Sequence, residues 1–123
     1  MDSFVVSVIV TAYNQADTIT QTLDSILRQE CNFSYEINIG DDCSTDGTRK
    51  IAIDYKEKFP DIITLIFHEC NVGVAANFAI CVKETHGKYI TLCAADDYWH
   101  NPNKLKLQIG FFSDHRDYGL LYT

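Results

Sequence analysis

Phe4-Val5-Val6-Ser7-Val8-Ile9-Val10-Thr11-Ala12-Tyr13-Asn14-Gln15-Ala16-Asp17-Thr18-Ile19 is the stretch that decides the fold. Residues 4–10 are apolar but for Ser7 and rich in β-branched side chains, the pattern of a strand covered on both faces, as in a parallel sheet. From Ala16 the period changes. Ile19, Leu23, Ile26 and Leu27 share one helical face, and Asn14 with Asp17 three residues later resembles a capping pair. A buried strand feeding an amphipathic helix is one β-α unit.

The unit recurs on moving outward. Residues 35–39 read as a second strand, 41–47 as a polar loop and 48–58 as a helix closed by Phe59-Pro60. A third strand is expected over 62–67. Gly73 then opens a helix whose apolar face is Ala75, Phe78, Ala79 and Val82, with Gly87 as its C-terminal cap. A fourth strand follows over 88–93, and Asn101-Pro102 starts a helix with Leu105, Ile109 and Phe112 facing inward. Gly119-Leu120-Leu121-Tyr122 reads as the opening of a fifth strand. This alternation predicts an α/β fold: an open, mainly parallel, Rossmann-like sheet with helices on both faces, in a single domain over 1–123. A sheet cut inside its fifth strand leaves an unpaired edge, so the expectation is a truncated unit that self-associates through that edge.

Composition narrows the classes of function. Hydrophobic residues make up 46% and charged residues 22%, which fits a globular domain without low-complexity tracts. The formal net charge of -7 opposes phosphate backbones at long range, so no nucleic-acid partner is expected, and an anionic small ligand needs local help from a divalent cation or from helix N-termini. Cys31, Cys43, Cys70, Cys81 and Cys93 are odd in number and scattered, which fits a reducing, cytoplasmic compartment. The apolar run 4–10 is too short to span a bilayer and lacks the charged flank of a signal peptide.

In open parallel sheets, ligands bind beyond the carboxyl ends of the strands, where strand order reverses. Two of those ends carry adjacent aspartates, Asp41-Asp42 and Asp96-Asp97. Four carboxylates on one edge repel one another unless a cation or a donor-rich ligand is bound. Asp17 and Asp46 are read as ordinary first-turn and turn or cap residues. Asn14 and Gly73 stand at helix starts, Tyr13 is read as packing more readily than stacking on a ligand ring, and Tyr98-Trp99 fits a sugar-facing wall and a hydrophobic plug equally well. The four histidines show no ligand-like spacing and are read as surface or strand-end residues.

Taken in order, Val6 to Gln15, Tyr35 to Thr48, Asn71-Val72-Gly73 through Asn77, Gly87-Lys88-Tyr89-Ile90 and Asp96-Asp97-Tyr98-Trp99 resemble the motifs of family 2 glycosyltransferases with the GT-A fold, over essentially the whole chain. The resemblance implies a nucleotide-sugar site formed by Thr11, Ala12, Tyr13, Asn14, Asp41, Asp42, Asn71, Gly73, Asn77 and Asp97, with Asp41 or Asp42 accepting from the base. It also implies that Asp96, the last aspartate of a D-x-D-like motif, holds Mg²⁺ or Mn²⁺, which neutralises the diphosphate leaving group. Transfer to the hydroxyl of a saccharide or lipid-linked acceptor, with inversion, would use a general base beyond Thr123, leaving this chain inactive by itself. Polysaccharide biosynthesis at the inner face of the membrane, with peripheral association of the full-length protein, is the setting such an acceptor implies. The sequence departs from the family pattern at Ala94, where the first acid of the motif commonly contacts the ribose, and at Thr11, where a proline is common.

Other classes fit less well. A signalling receiver domain is a doubly wound unit with an acidic Mg²⁺ pocket, but its acidic positions follow the first and third strands, which here end at Thr11-Ala12 and His68-Glu69. A dinucleotide-binding domain needs glycines in the first turn, where none stands. A non-catalytic nucleotide-binding module shares every motif named above.

Overall fold

In the computed structural model, which describes residues 4–114, β1 (Phe4–Ala12) is buried without a break from Val6 to Ala12. Strand and helix then alternate through α1 (Ile19–Leu27), β2 (Tyr35–Asp41), α2 (Thr48–Lys58), β3 (Ile63–Phe67), α3 (Val74–Lys83), β4 (Gly87–Leu92) and α4 (Lys104–Asp114). The four strands form a parallel sheet in the order β3-β2-β1-β4, so strand order reverses between β1 and β4. The expected α/β architecture is the observed one. The strand expected at 119–122, the Phe112 side chain and His115 lie outside the described residues.

Because side chains alternate along a strand, the sheet has two different faces. Val6, Val8 and Val10 of β1 join Ile37 and Ile39 of β2 in one cluster with Ile19, Leu23 and Ile26 of α1 and Ala52 of α2. Each of these large side chains is fully buried, which contributes about 1.5–3 kcal/mol apiece relative to exposure. The opposite face, carrying Ser7, Glu36, Asn38 and Gly40, is covered by α3. A Cβ at Gly40 would stand 2.4 Å from both Asn77 Oδ1 and Cys81 Sγ. Glycine here lets α3 lie directly on the sheet.

Several local expectations are corrected. Asn14 does not cap α1: it has a left-handed φ of 51°, its Oδ1 accepts from the Thr45 N–H at 2.8 Å, and α1 starts only at Ile19. The buried side chains of α3 are Asn77 and Cys81, whereas Ala75 and Ala79 are exposed. Gly87 opens β4 instead of capping α3, because Ser7 approaches so closely that a Cβ there would meet its backbone N at 2.5 Å. At that amino end of the sheet the buried Glu36 carboxylate accepts from Ser7 Oγ and the His86 N–H, both at 2.6 Å. The last helix begins at Lys104, after a turn in which Asn101 Oδ1 accepts from the Asn103 N–H at 2.9 Å.

Candidate functional site

Parallel pairing carries the carboxyl ends of β1, β2 and β4 to one edge, and loop hydrogen bonds extend that ladder. Ala95 N–H donates to Thr11 O at 3.0 Å, and Asp42 N–H to Ala12 O at 2.8 Å. The result is a cleft of about 310 Å³ at the reversal point, lined by Thr11, Ala12, Tyr13, Gln15, Asp42, Val74, Asn77, Ala94 and Asp96. It faces the direction in which ligands enter open α/β sheets.

The two aspartates after β2 have different surroundings. Asp41 is fully buried on the α2 face, where its carboxylate accepts from Ser44 N–H at 2.9 Å, the Ser44 hydroxyl and Arg49 Nε at 2.6 Å. The same guanidinium donates to His68 O and lies over the Phe67 ring, 4.7 Å from its centroid. Asp42 points the other way. It lines the cleft while accepting from Val72 N–H at 2.7 Å and Gly73 N–H at 2.9 Å, which pins the start of α3. Of the pair left open by sequence, Asp42 is the one at the cleft.

The second pair also divides. Asp96 is exposed at the cleft and accepts no hydrogen bond from the described residues. Asp97 accepts from Tyr98 N–H at 2.8 Å and lines a separate cleft of about 530 Å³ beside Leu92 and Leu107. Four free carboxylates are therefore not gathered in one place. Among the described residues no group of three or more His, Cys, Asp or Glu side chains could hold a metal ion.

The remaining expected site residues are distributed as follows. Thr11, Ala12, Tyr13 and Asn77 line the cleft; Asn14, Asn71 and Gly73 lie outside its lining. Asn77 is buried, with Nδ2 donating to Gly40 O at 2.9 Å and Oδ1 2.7 Å from His68 Nε2, so its amide is committed to holding α3 on the sheet. Asn71 Nδ2 reaches Asp42 O at 3.4 Å, and Gly73 has φ 92°, a backbone state that favours glycine. Asp46 behaves as the turn residue it was read to be. Its carboxylate accepts from Thr48 and from Ala16 N–H, and the Thr48 hydroxyl foremost holds its pKa below the ordinary 3.8.

Tyr13 departs from expectation: it is 48% exposed at the cleft instead of packed in the core. Trp99 takes the plug alternative, 7% exposed within the core cluster. Gln15 and Val74 belong to the lining although no pattern singled them out. Both stand within the motifs quoted above, so membership of a motif was the available signal. Next to Asp42 and Asp96, Ala94 adds no polar group, and none of the described lining residues is cationic.

Residues 7–123 match the family model of Glycosyl transferase family 2, and the chain belongs to that family. It is 32% identical over 109 residues, 89% of this chain and 41% of the relative, to the UDP-Glc:alpha-D-GlcNAc-diphosphoundecaprenol beta-1,3-glucosyltransferase WfgD of Escherichia coli. Among solved structures it is similar to S. aureus TarS 1-349 in complex with UDP-GlcNAc, with a TM-score of 0.81 at 31% identity over 91% of this chain and 32% of that one. It is also similar to the mannosyltransferase PcManGT from Pyrobaculum calidifontis in complex with GDP-Man and Mn2+, with a TM-score of 0.81 at 27% identity over 93% of this chain and 34% of that one. The chain spans between 17% and 42% of the length of the curated relatives it matches. No helix among the described residues is long and apolar enough to cross a membrane.

Proposed function

We propose that this chain binds a nucleoside-diphosphate sugar together with Mg²⁺ or Mn²⁺ in the cleft between the ends of β1 and β4, and that the full-length protein transfers the sugar to an acceptor hydroxyl. The observation that carries this reading is the charge of the cleft: Asp42 and Asp96 line it, and no described lining residue is cationic. A diphosphate entering there needs a cation of its own. Asp96 fits a hard divalent ion, since such ions take oxygen ligands and are commonly held by one or two carboxylates with phosphate oxygens and water completing the shell. When bound, the ion offsets the negative charge that builds on the departing diphosphate.

The chain's own residues do the rest. Tyr13, half exposed at the mouth, offers a ring face for a base, and Asp42, already fixed by two N–H groups, can accept from a base N–H. Thr11 and Ala12 are buried members of the lining. The UDP-GlcNAc and GDP-Man complexes of the structural relatives support a nucleotide-sugar donor, and the Mn2+ of PcManGT supports the metal. The name of WfgD, with its diphosphoundecaprenol acceptor, supports a lipid-linked acceptor. Inversion would draw its general base from outside this chain.

Calorimetry with UDP and GDP, with and without Mn²⁺, tests the reading. The expected outcome is binding by one nucleotide that strengthens at least tenfold with Mn²⁺, a gain that Asp96→Ala abolishes. No heat from either nucleotide at millimolar concentration, with Mn²⁺ present, would sink it.

A further inference from the structure

The inner side of α1 carries a row of polar residues that the donor cleft does not use. Thr22 and Ser25 lie in α1, Thr18 stands at its N-cap and Gln29 just past its last turn, and the spacings of four, three and four residues keep the row on one side. Thr22 and Ser25 are 0% and 1% exposed and Gln29 is 8% exposed. Buried hydroxyls and amides are costly unless paired, and a valine would fill the Thr22 position without that cost. Their partners therefore say what they are for.

Ser25 Oγ donates to Thr22 O at 2.7 Å within α1, and Thr22 Oγ1 and Thr18 Oγ1 make longer bonds to Thr18 O and Gln15 O at 3.4 and 3.5 Å; the other partners are backbone groups of the segment from Ala95 to the start of α4. Thr18 Oγ1 donates to Ala95 O at 2.7 Å and Thr22 Oγ1 donates to Asp97 O. Ser25 Oγ accepts from Trp99 N–H at 3.0 Å. Gln29 Nε2 donates to Asn101 O at 2.8 Å and its Oε1 accepts from Leu105 N–H at 2.9 Å. The partners from 95 to 101 are every second residue. The nine residues of α1 rise about 13 Å, and six residues of chain can extend about 20 Å at most, so the segment from Ala95 to Asn101 is long enough to run the length of the helix. The helix acts as a ruler along which an irregular loop is laid.

Asp96 sits between the first two points of attachment. We infer that Thr18 and Thr22 are positioning residues for the Asp96 carboxylate, fixing the carbonyls on either side of it so that the ligand is presented to the cleft without the loop having to order on binding. This rests on the donor-site reading above. It goes beyond that reading by assigning the presentation of the metal ligand to a helix that contributes no lining residue to the cleft.

The test uses the whole chain with Thr22→Val, which keeps shape and removes the donor, and Thr22→Ser, which restores it. Two readouts are taken: amide hydrogen exchange over residues 95–99, and calorimetric affinity for UDP or GDP with and without Mn²⁺. Thr22→Val is expected to speed exchange in that segment and to cut the Mn²⁺-dependent gain in affinity about tenfold, leaving metal-free affinity in place, with Thr22→Ser recovering most of both. Equal loss with and without Mn²⁺, or an unchanged gain, would overturn the inference. Should Thr22→Val fail to fold, the half-buried Thr18→Val carries the same expectations and the same overturning results. If the wild-type chain shows no Mn²⁺-dependent gain, the donor-site reading and the metal-ligand role fall together. Exchange then decides separately whether the row holds the loop.

Discussion

Asp41 and Asp42 are identical side chains one position apart, and they end on opposite sides of the sheet because strand side chains alternate. The α2 side holds Arg49 for Asp41, and the α3 side holds two backbone N–H groups and the cleft for Asp42. The pairing with Arg49 makes a residue-scale prediction. Arg49→Met should destabilise the chain by about 3 kcal/mol, the lower range for leaving one partner of a buried pair uncompensated, since Arg49 itself is about a third exposed. Urea denaturation reads this directly. Arg49→Lys should recover only part, because an ammonium cannot serve Asp41, His68 O and the Phe67 ring together. The presence of an acidic pair was legible in the sequence. Which carboxylate faces a ligand was not, since that depends on which sheet face each helix covers.

At the scale of elements, apolar periodicity located every helix and strand among the described residues to within a few positions, and it identified the buried face of α1. It failed on α3. Alanines at 75 and 79 suggested an inward stripe, but the face against the sheet is set by Gly40, whose missing Cβ admits Asn77 and Cys81. Gly40→Ala should therefore lift α3 or displace Asn77 from its bond to Gly40 O, at a cost of about 1–3 kcal/mol seen in thermal denaturation. Cys81→Ala in the same chain should recover part of that loss and no more, since Asn77 Oδ1 would still obstruct. The polar row of α1 was equally hidden. Threonine, serine and glutamine on an inward stripe contradict binary patterning until their loop partners are known.

For the molecule as a whole, the five cysteines report on how cooperatively the layers hold together. All five are free. Burial foremost, then Glu84, pushes the Cys81 thiol up to about 11, and burial foremost, then Asp97, pushes Cys93 up to about 12. Since the thiolate is the reactive form, exposed Cys70 should alkylate in the native chain at pH 8, while Cys81 and Cys93, one on each face of the sheet, label only on unfolding. Their labelling should follow the same urea midpoint as loss of helical signal. Native-state labelling of Cys81 alone would show that α3 detaches separately from the rest. The sequence by itself determined the alternation of strands and helices, the parallel sheet and the loops that bear the site, because hydrophobic period and turn chemistry are local properties. Only the tertiary structure decided that Asp42 and Asp96 face one cleft, that Asp41 serves Arg49 and that α1 carries the Asp96 loop. Each of these depends on which groups meet across dozens of residues, and a single polar side chain is paid for or penalised only by the partner that packing brings to it.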